Sequence, residues 1–211
     1  YAGVSYRRDG SSRLSRDNRW GNFWSISGSW RFMQESFLES IKNVITDGKL
    51  RLSYGVNGTQ PSTFYSYMIN MYRAGQIYNG QSGMGVIGIG SPDLKWEKTA
   101  QVNVGFDATL FKNRLTLGLD LYNSNTYDLL LNVPVSMTTG YTTRLENIGK
   151  VNNKGIEFNI STNHQMGDVT WSAYFNISKN INEVKALGPG NADIISSGSV
   201  GNAYFITRVG E

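Results

Sequence analysis

Cysteine is absent from the 211 residues and histidine occurs once, at position 164. No disulfide framework, Cys-containing zinc site or thiol nucleophile is therefore available, and little remains for a catalytic triad or a metal centre. Charge is also sparse, at 17% of residues, with the surface polarity carried instead by Ser, Thr, Asn, Gln and Gly. That balance disfavours surface helices laced with ion pairs and favours strands joined by polar loops. The net charge of +4 is spread over 20 basic and 16 acidic residues without a run of five like charges, so nucleic acid is not an expected partner. No apolar run exceeds Ala203–Ile206. This excludes a transmembrane helix, which needs about 20 apolar residues, but not a transmembrane strand, which needs about 9 to 11 and hides its apolar face at alternate positions. The chain starts at Tyr1, without initiator Met or signal segment, and reads as a slice of something longer.

What is abundant is alternation. Trp24, Ile26, Trp30 and Phe32 oppose Ser25, Ser27, Ser29 and Arg31, and Leu50, Leu52, Tyr54 and Val56 oppose Lys49, Arg51, Ser53 and Gly55. A longer stripe runs through Trp96, Ala100, Val102, Val104, Phe106, Ala108 and Leu110, against Glu97, Thr99, Gln101, Asn103, Asp107 and Thr109. After a short Phe111-Lys112-Asn113 turn the pattern resumes with Leu115, Leu117, Leu119 and Leu121, then over Ile156–Ser161 and Val169–Ser178. With a partial strand at Tyr1–Arg8 these make about seven one-sided strands. Connections alternate in length. Leu110–Leu115 and Ser161–Val169 are tight, whereas Gly58–Asp93 and Asn132–Lys154, on the opposite rim, are long. One short amphipathic helix is expected over Glu35–Ile45, from the helical spacing of Phe37, Leu38, Ile41, Val44 and Ile45.

One-sided alternation suits either a soluble sandwich or a membrane barrel. Polar faces built from small hydroxyl and amide side chains, with aromatics near strand ends, favour the barrel: an all-β antiparallel transmembrane segment with long external loops. On that reading Arg51, Glu97, Gln101, Asn103, Asp107 and Asp120 line the lumen. Tyr65, Tyr67, Tyr72 and Tyr78, in the Gly58–Asp93 loop, are candidates for ligand contact, since Tyr buries area at low rotamer cost and offers a hydroxyl; packing against the barrel or a protein lid is equally open. Gly83-Met84-Gly85-Val86-Ile87-Gly88 matches a dinucleotide fingerprint formally, but Gly90, Pro92 and a strand follow where a helix is required, so it reads as loop. His164 reads as a solvated turn residue, and no catalytic residue, metal site or cofactor is expected.

Specific words in the chain resemble the SusC/RagA family of TonB-dependent outer-membrane transporters. Arg8-Asp9-Gly10-Ser11-Ser12-Arg13 with Asn18-Arg19-Trp20-Gly21 and Phe23, Lys49 to Gly55 with Gly58, Asp93 to Thr99 with Asn103 to Asp107, and Asn153 to Glu157 with Trp171 follow the family order. The resemblance implies seven to eight strands of a larger, 22-stranded barrel, with the plug domain and final strands absent from residues 1–211. It also implies nutrient import of oligosaccharides or peptides, a SusD-like lipoprotein over the outer rim, TonB contacted through the missing N-terminal region, and surrounding outer-membrane lipid. The competing readings are a soluble β-sandwich glycan-binding module, an outer-membrane barrel enzyme and a passive porin.

Overall fold

A computed structural model describes residues 1–69, 71–86, 88–197 and 204–211. Seven strands form one continuous antiparallel sheet: β1 (Ala2–Gly10), β2 (Trp20–Trp30), β3 (Ile45–Thr59), β6 (Glu97–Leu110), β7 (Leu115–Pro134), β8 (Thr143–Met166) and β9 (Val169–Ala186). They pair in chain order, β1-β2-β3-β6-β7-β8-β9, while β4 (Met71–Tyr78) with β5 (Gln81–Val86), and β10 (Ile194–Ser197) with β11 (Tyr204–Thr207), are separate hairpins. The GxGxxG match dissolves into this arrangement. Gly83–Val86 belong to strand β5, and Ile87 lies outside the described residues.

Register follows the alternation. Leu50, Phe106, Leu119, Phe158 and Ile177 are cross-strand partners in one row, and Arg51, Gly105, Asp120, Glu157 and Ser178 in the next. Successive rows thus put apolar side chains on one face and polar ones on the other. The apolar face is bare. Leu52 is 58% exposed, Val104 40%, Leu121 43% and Phe175 56%, and no second layer covers them among the described residues. A sandwich would seal this face in a core.

Burial is concentrated instead at the rim carrying the long loops. Leu14, Phe23, Leu94 and Trp96 form a small core, with Leu130 and Leu145 packed against it. Phe23 meets Trp96 edge to face at 5.3 Å, and the Trp96 indole Nε1 donates to the Arg19 carbonyl at 3.0 Å. The opposite rim has a two-residue turn at Gly167–Asp168, whose first residue has φ of 63°, as a II′ turn needs.

Three sequence expectations change. The helix expected over Glu35–Ile45 is instead two 3-10 segments, Phe32–Gln34 and Ser36–Ile41. Ile45 pairs with Leu110 and the Val44 carbonyl accepts from Phe111 N at 2.8 Å, so sheet pairing takes the end of the helical pattern. The long connection expected over Asn132–Lys154 is mostly strand. β7 and β8 stay paired to Pro134 and Thr143, leaving residues 135–142 as the loop. A bulge between Thr126 and Leu129, with Asp128 at φ of 59°, shifts the parity there, which is why period-two counting stops short. His164 belongs to β8, opposite Trp171, and not to the turn.

Candidate functional site

The polar face carries a ladder of side chains reaching from strand to strand. Arg51, on β3, donates from Nε to Asp107 Oδ2 at 2.7 Å and from Nη2 to Asp107 Oδ1 at 3.1 Å, then from Nη2 to Asp120 Oδ1 and Oδ2 at 2.9 and 3.1 Å. The reach to β7 depends on Gly105, which separates Arg51 from Asp120 in the same row. A Cβ at Gly105 would lie 2.5 Å from the Arg51 Cζ and 2.7 Å from Asp120 Oδ1. Two rows further toward the loop rim, on the same face, the device recurs. Tyr122 lies over Gly155, where a Cβ would come within 2.6 Å of its ring, and donates from its hydroxyl to Asn180 Oδ1 at 3.1 Å. Long polar side chains thus use glycine saddles to link β3 to β7 and β7 to β9.

Of the lumen candidates, Arg51, Asp107 and Asp120 form one cluster. Gln101 and Asn103 form a second, with Gln101 Nε2 donating to Asn103 Oδ1 at 2.9 Å and Asn103 Nδ2 to Ser53 Oγ at 3.4 Å. Glu97 stands apart at the loop rim, its Oε1 accepting from the Leu130 amide at 2.9 Å. The Arg51 cluster is half exposed, so water screens it and its ion pairs hold geometry more than they supply stability.

At the loop rim a groove of about 570 Å³ opens between the start of the β3–β6 connection and strands β7 and β8, lined by Gln60, Thr63, Ser66, Glu97, Asn132 and Arg144 among others. Its lining mixes hydroxyls, amides and two opposite charges with apolar Pro61, Met68, Ile89, Leu130 and Leu145, so hydrogen-bonding groups stand beside apolar surface. Tyr65 and Tyr67 are near neighbours of this groove, with ring centroids 6.4 Å apart, but Ser66 and Met68 supply the lining. Tyr65 is 49% exposed and adopts φ of 57°. The side chains of Tyr72 and Tyr78 lie outside the described residues.

Two residues matter here that sequence reasoning did not single out for a site. Arg13 Nη1 donates to the carbonyls of Pro61 at 2.7 Å and Ser62 at 3.0 Å, and its guanidinium lies 4.1 Å from the Phe64 ring centroid, pinning the loop that bears the tyrosines. Arg144 pairs with Glu146 and lines the groove. The signal for Arg13 was its place in the Arg8–Arg13 word; Arg144 sits in the stretch read as loop, where no pattern marked it.

Among groups outside the strands of the main sheet, Asp193 is held below the usual carboxylate range by the hydrogen bonds and charge of Arg208, 2.6 Å away. This ion pair clips the β10–β11 hairpin across its base. Among the described residues no cluster of three His, Asp or Glu could hold a metal ion.

Comparison with known proteins gives a consistent result. Residues 2–202 match the family model described as TonB dependent receptor-like, beta-barrel. A TonB-dependent receptor of Formosa agariphila is 38% identical over 214 residues, covering 98% of this chain and 20% of that protein. The TonB-dependent receptor SusC of Bacteroides thetaiotaomicron is 37% identical over 199 residues, covering 89% of this chain and 19% of that protein. The chain therefore spans about a fifth of the length of the curated relatives it matches. Among solved structures, the RagAB peptide importer in its closed-closed state superposes with a TM-score of 0.88 at 28% identity, over 100% of this chain and 23% of that one. The open-open state of the same importer gives 0.88 and 28%, over 100% and 22%.

Proposed function

Since the chain belongs to the TonB-dependent receptor-like β-barrel family, we propose that it forms a stretch of barrel wall in an outer-membrane active transporter of the SusC type. The observation that carries this reading is the single-layer sheet with one bare apolar face and one hydrogen-bonded polar face. In a barrel the first meets lipid and the second bounds a lumen. Arg51, Gln101, Asn103, Asp107 and Asp120 then line that lumen, stiffening the wall and presenting charge to the plug, with Glu97 at its outer mouth. Plug and final strands are contributed by parts of the protein outside residues 1–211.

Substrate is an oligosaccharide or a peptide, delivered by a SusD-like lipoprotein seated over the loop rim, with energy arriving through TonB at the plug. The groove beside Tyr65 and Tyr67 faces that delivery route and suits either substrate, whose hydroxyls or amides it can pair. Transport is by differential binding and plug movement, with no covalent chemistry in this segment. The decisive experiment measures uptake of labelled oligosaccharides and peptides by cells carrying the full-length receptor, with and without TonB. Uptake of one class that disappears without TonB is expected; uptake that persists marks a passive porin and overturns the proposal.

A further inference from the structure

The inference below rests on the barrel reading and concerns the face turned away from the lumen. Followed toward the loop rim, each strand's apolar face meets a first residue that is polar or glycine, beyond which single apolar residues recur, Trp20 on β2 (54% exposed) and Ile181 on β9 (44% exposed) among them. On β1 the first polar residue beyond Tyr6 is Arg8; on β2, beyond Trp24, Asn22; on β6, beyond Ala100, Lys98; on β7, beyond Leu121, Asn123; on β8, beyond Ile156, Lys154; on β9, beyond Ile177, Lys179. On β3 the residue in this position is Gly58. Four of these are basic and none is acidic.

Their heights form a pattern. Lys98 pairs with Tyr127, whereas Lys179 pairs with Ile156, whose other partner is Leu121. Tyr127 and Leu121 are three same-face steps apart on β7, about 20 Å along the strand at ~3.4 Å per residue. Arg8 pairs with Asn22, two residues beyond Trp24, and Lys98 pairs with Gly58, two beyond Val56; Trp24 and Val56 are partners, so Arg8 and Lys98 share a row. From β1 to β9 the boundary therefore drops about 20 Å while crossing six inter-strand spacings of ~4.8 Å, roughly 29 Å. The slope is about 35°, inside the range of strand tilt in outer-membrane barrels. The lower apolar edge falls in parallel. Trp30 on β2 is in the row of Ile177, and Trp171 on β9 is three same-face steps below it. A boundary that slopes against the rows by the strand tilt is level in the membrane; it passes through Arg8 and Lys179 and within about 3 Å of Lys154, while Lys98, in the row of Arg8 but three strands on, stands roughly 8 Å further toward the loop rim.

None of the four is in an ion pair among the described residues. Arg8 rests over the Trp20 ring at 5.0 Å. Lys154 is within electrostatic reach of Glu183, the acid on this face of β9, but Glu183 is engaged by Lys185. Lys154 and Lys179 are diagonal neighbours on β8 and β9, about 7 to 8 Å apart at the backbone, a spacing at which like charges repel unless an anion lies between them. At an interface, long lysine stems lie along apolar surface and carry their ammonium heads to the headgroup layer. At the lower edge the corresponding outward positions on β8 are Thr162 and His164, and the nearest basic residues, Lys112 and Arg114, belong to the turn itself.

We propose that Lys154 and Lys179 bind the phosphate group of an outer-leaflet lipid headgroup, with Arg8 at the same level and Lys98 above it extending a basic belt around the wall. The test uses the full-length receptor extracted from outer membranes in mild detergent, with native mass spectrometry and phosphorus analysis of the lipid that comes with it. Replacing both lysines (Lys154→Gln with Lys179→Gln) is expected to lower the co-purifying phosphorylated lipid about fivefold or more per lost charge, and Lys112→Gln at the other rim to leave it unchanged. Enzymatic removal of the lipid phosphate is expected to reproduce the loss in the unmodified receptor. Wild-type lipid retention by the double variant, or equal retention of dephosphorylated lipid, overturns the proposal. So does displacement of the lipid by millimolar inorganic phosphate, which marks a site for small anions, and loss of a co-purifying protein with lipid unchanged, which marks a protein contact. A wild-type receptor absent from the outer-membrane fraction overturns the barrel reading as well, whereas the lipid outcomes bear on the belt alone.

Discussion

Gly105 and Arg51 show how one residue without a side chain lets another act at a distance. The guanidinium spans from Asp107 to Asp120 because nothing projects from the intervening strand, and a Cβ there would meet Cζ at 2.5 Å. Gly105→Ala in the full-length receptor is expected to push Arg51 off Asp120 and cost about 1 kcal/mol, the scale of a half-exposed charged hydrogen bond after solvent screening. Denaturant unfolding of Gly105→Ala, Arg51→Ala and the double variant checks this. The glycine substitution should cost markedly less once Arg51 is gone, and additive costs would disprove the saddle role. The sequence marked Arg51, Asp107 and Asp120 as sharing a face, because parity assigns faces. It did not mark Gly105 as their hinge, because that depends on which residues become opposite partners across three strands.

A strand in this sheet has two faces in different solvents, so a substitution should be judged by its parity. Leu121 and Tyr122 are adjacent on β7, the first 43% exposed on the apolar face and the second bonded to Asn180 on the polar face. Leu121→Arg, one same-face step inside the boundary, is expected to cost about 1 to 2 kcal/mol, between the interfacial and midplane values, whereas Asn123→Arg, one step outward, is expected to be nearly neutral. Folding titrations into lipid vesicles give both values, and equal costs would show that Leu121 does not contact hydrocarbon. Element existence was legible from the alternating stripes, but element ends were not. The Thr126–Leu129 bulge shifted the parity of β7, so its continuation to Pro134 read as loop. The Phe37–Ile45 spacing read as helix until Val44 and Ile45 were taken up by pairing against Leu110 and Phe111. Both errors arise where a long-range ladder outweighs local preference.

As a whole, the described residues form a single-layer wall, with one small core at the loop rim around Phe23 and Trp96 and only scattered buried residues, such as Met33, Ala108 and Val184, elsewhere. Among the described residues the outer ladder positions of β1 and β9 are open along most of their length, and Val184 exchanges bonds with Gly210 and Glu211, at 2.8 and 2.9 Å. Expressed alone in water, residues 1–211 are therefore expected to aggregate, with two strand edges and an apolar face uncovered. Sedimentation is the check, and a monodisperse, cooperatively unfolding monomer would contradict the membrane assignment of that face. Composition, period-two patterning and the family words together determined an antiparallel sheet with one apolar and one polar face, because alternation is a local property of the chain. The tertiary structure alone decided which residues become neighbours: that Arg51 reaches Asp120, that Arg13 pins the tyrosine loop, and that Lys154 and Lys179 are diagonal partners on β8 and β9. Those relations depend on register and strand tilt, which arise only when strands distant in sequence are hydrogen-bonded side by side.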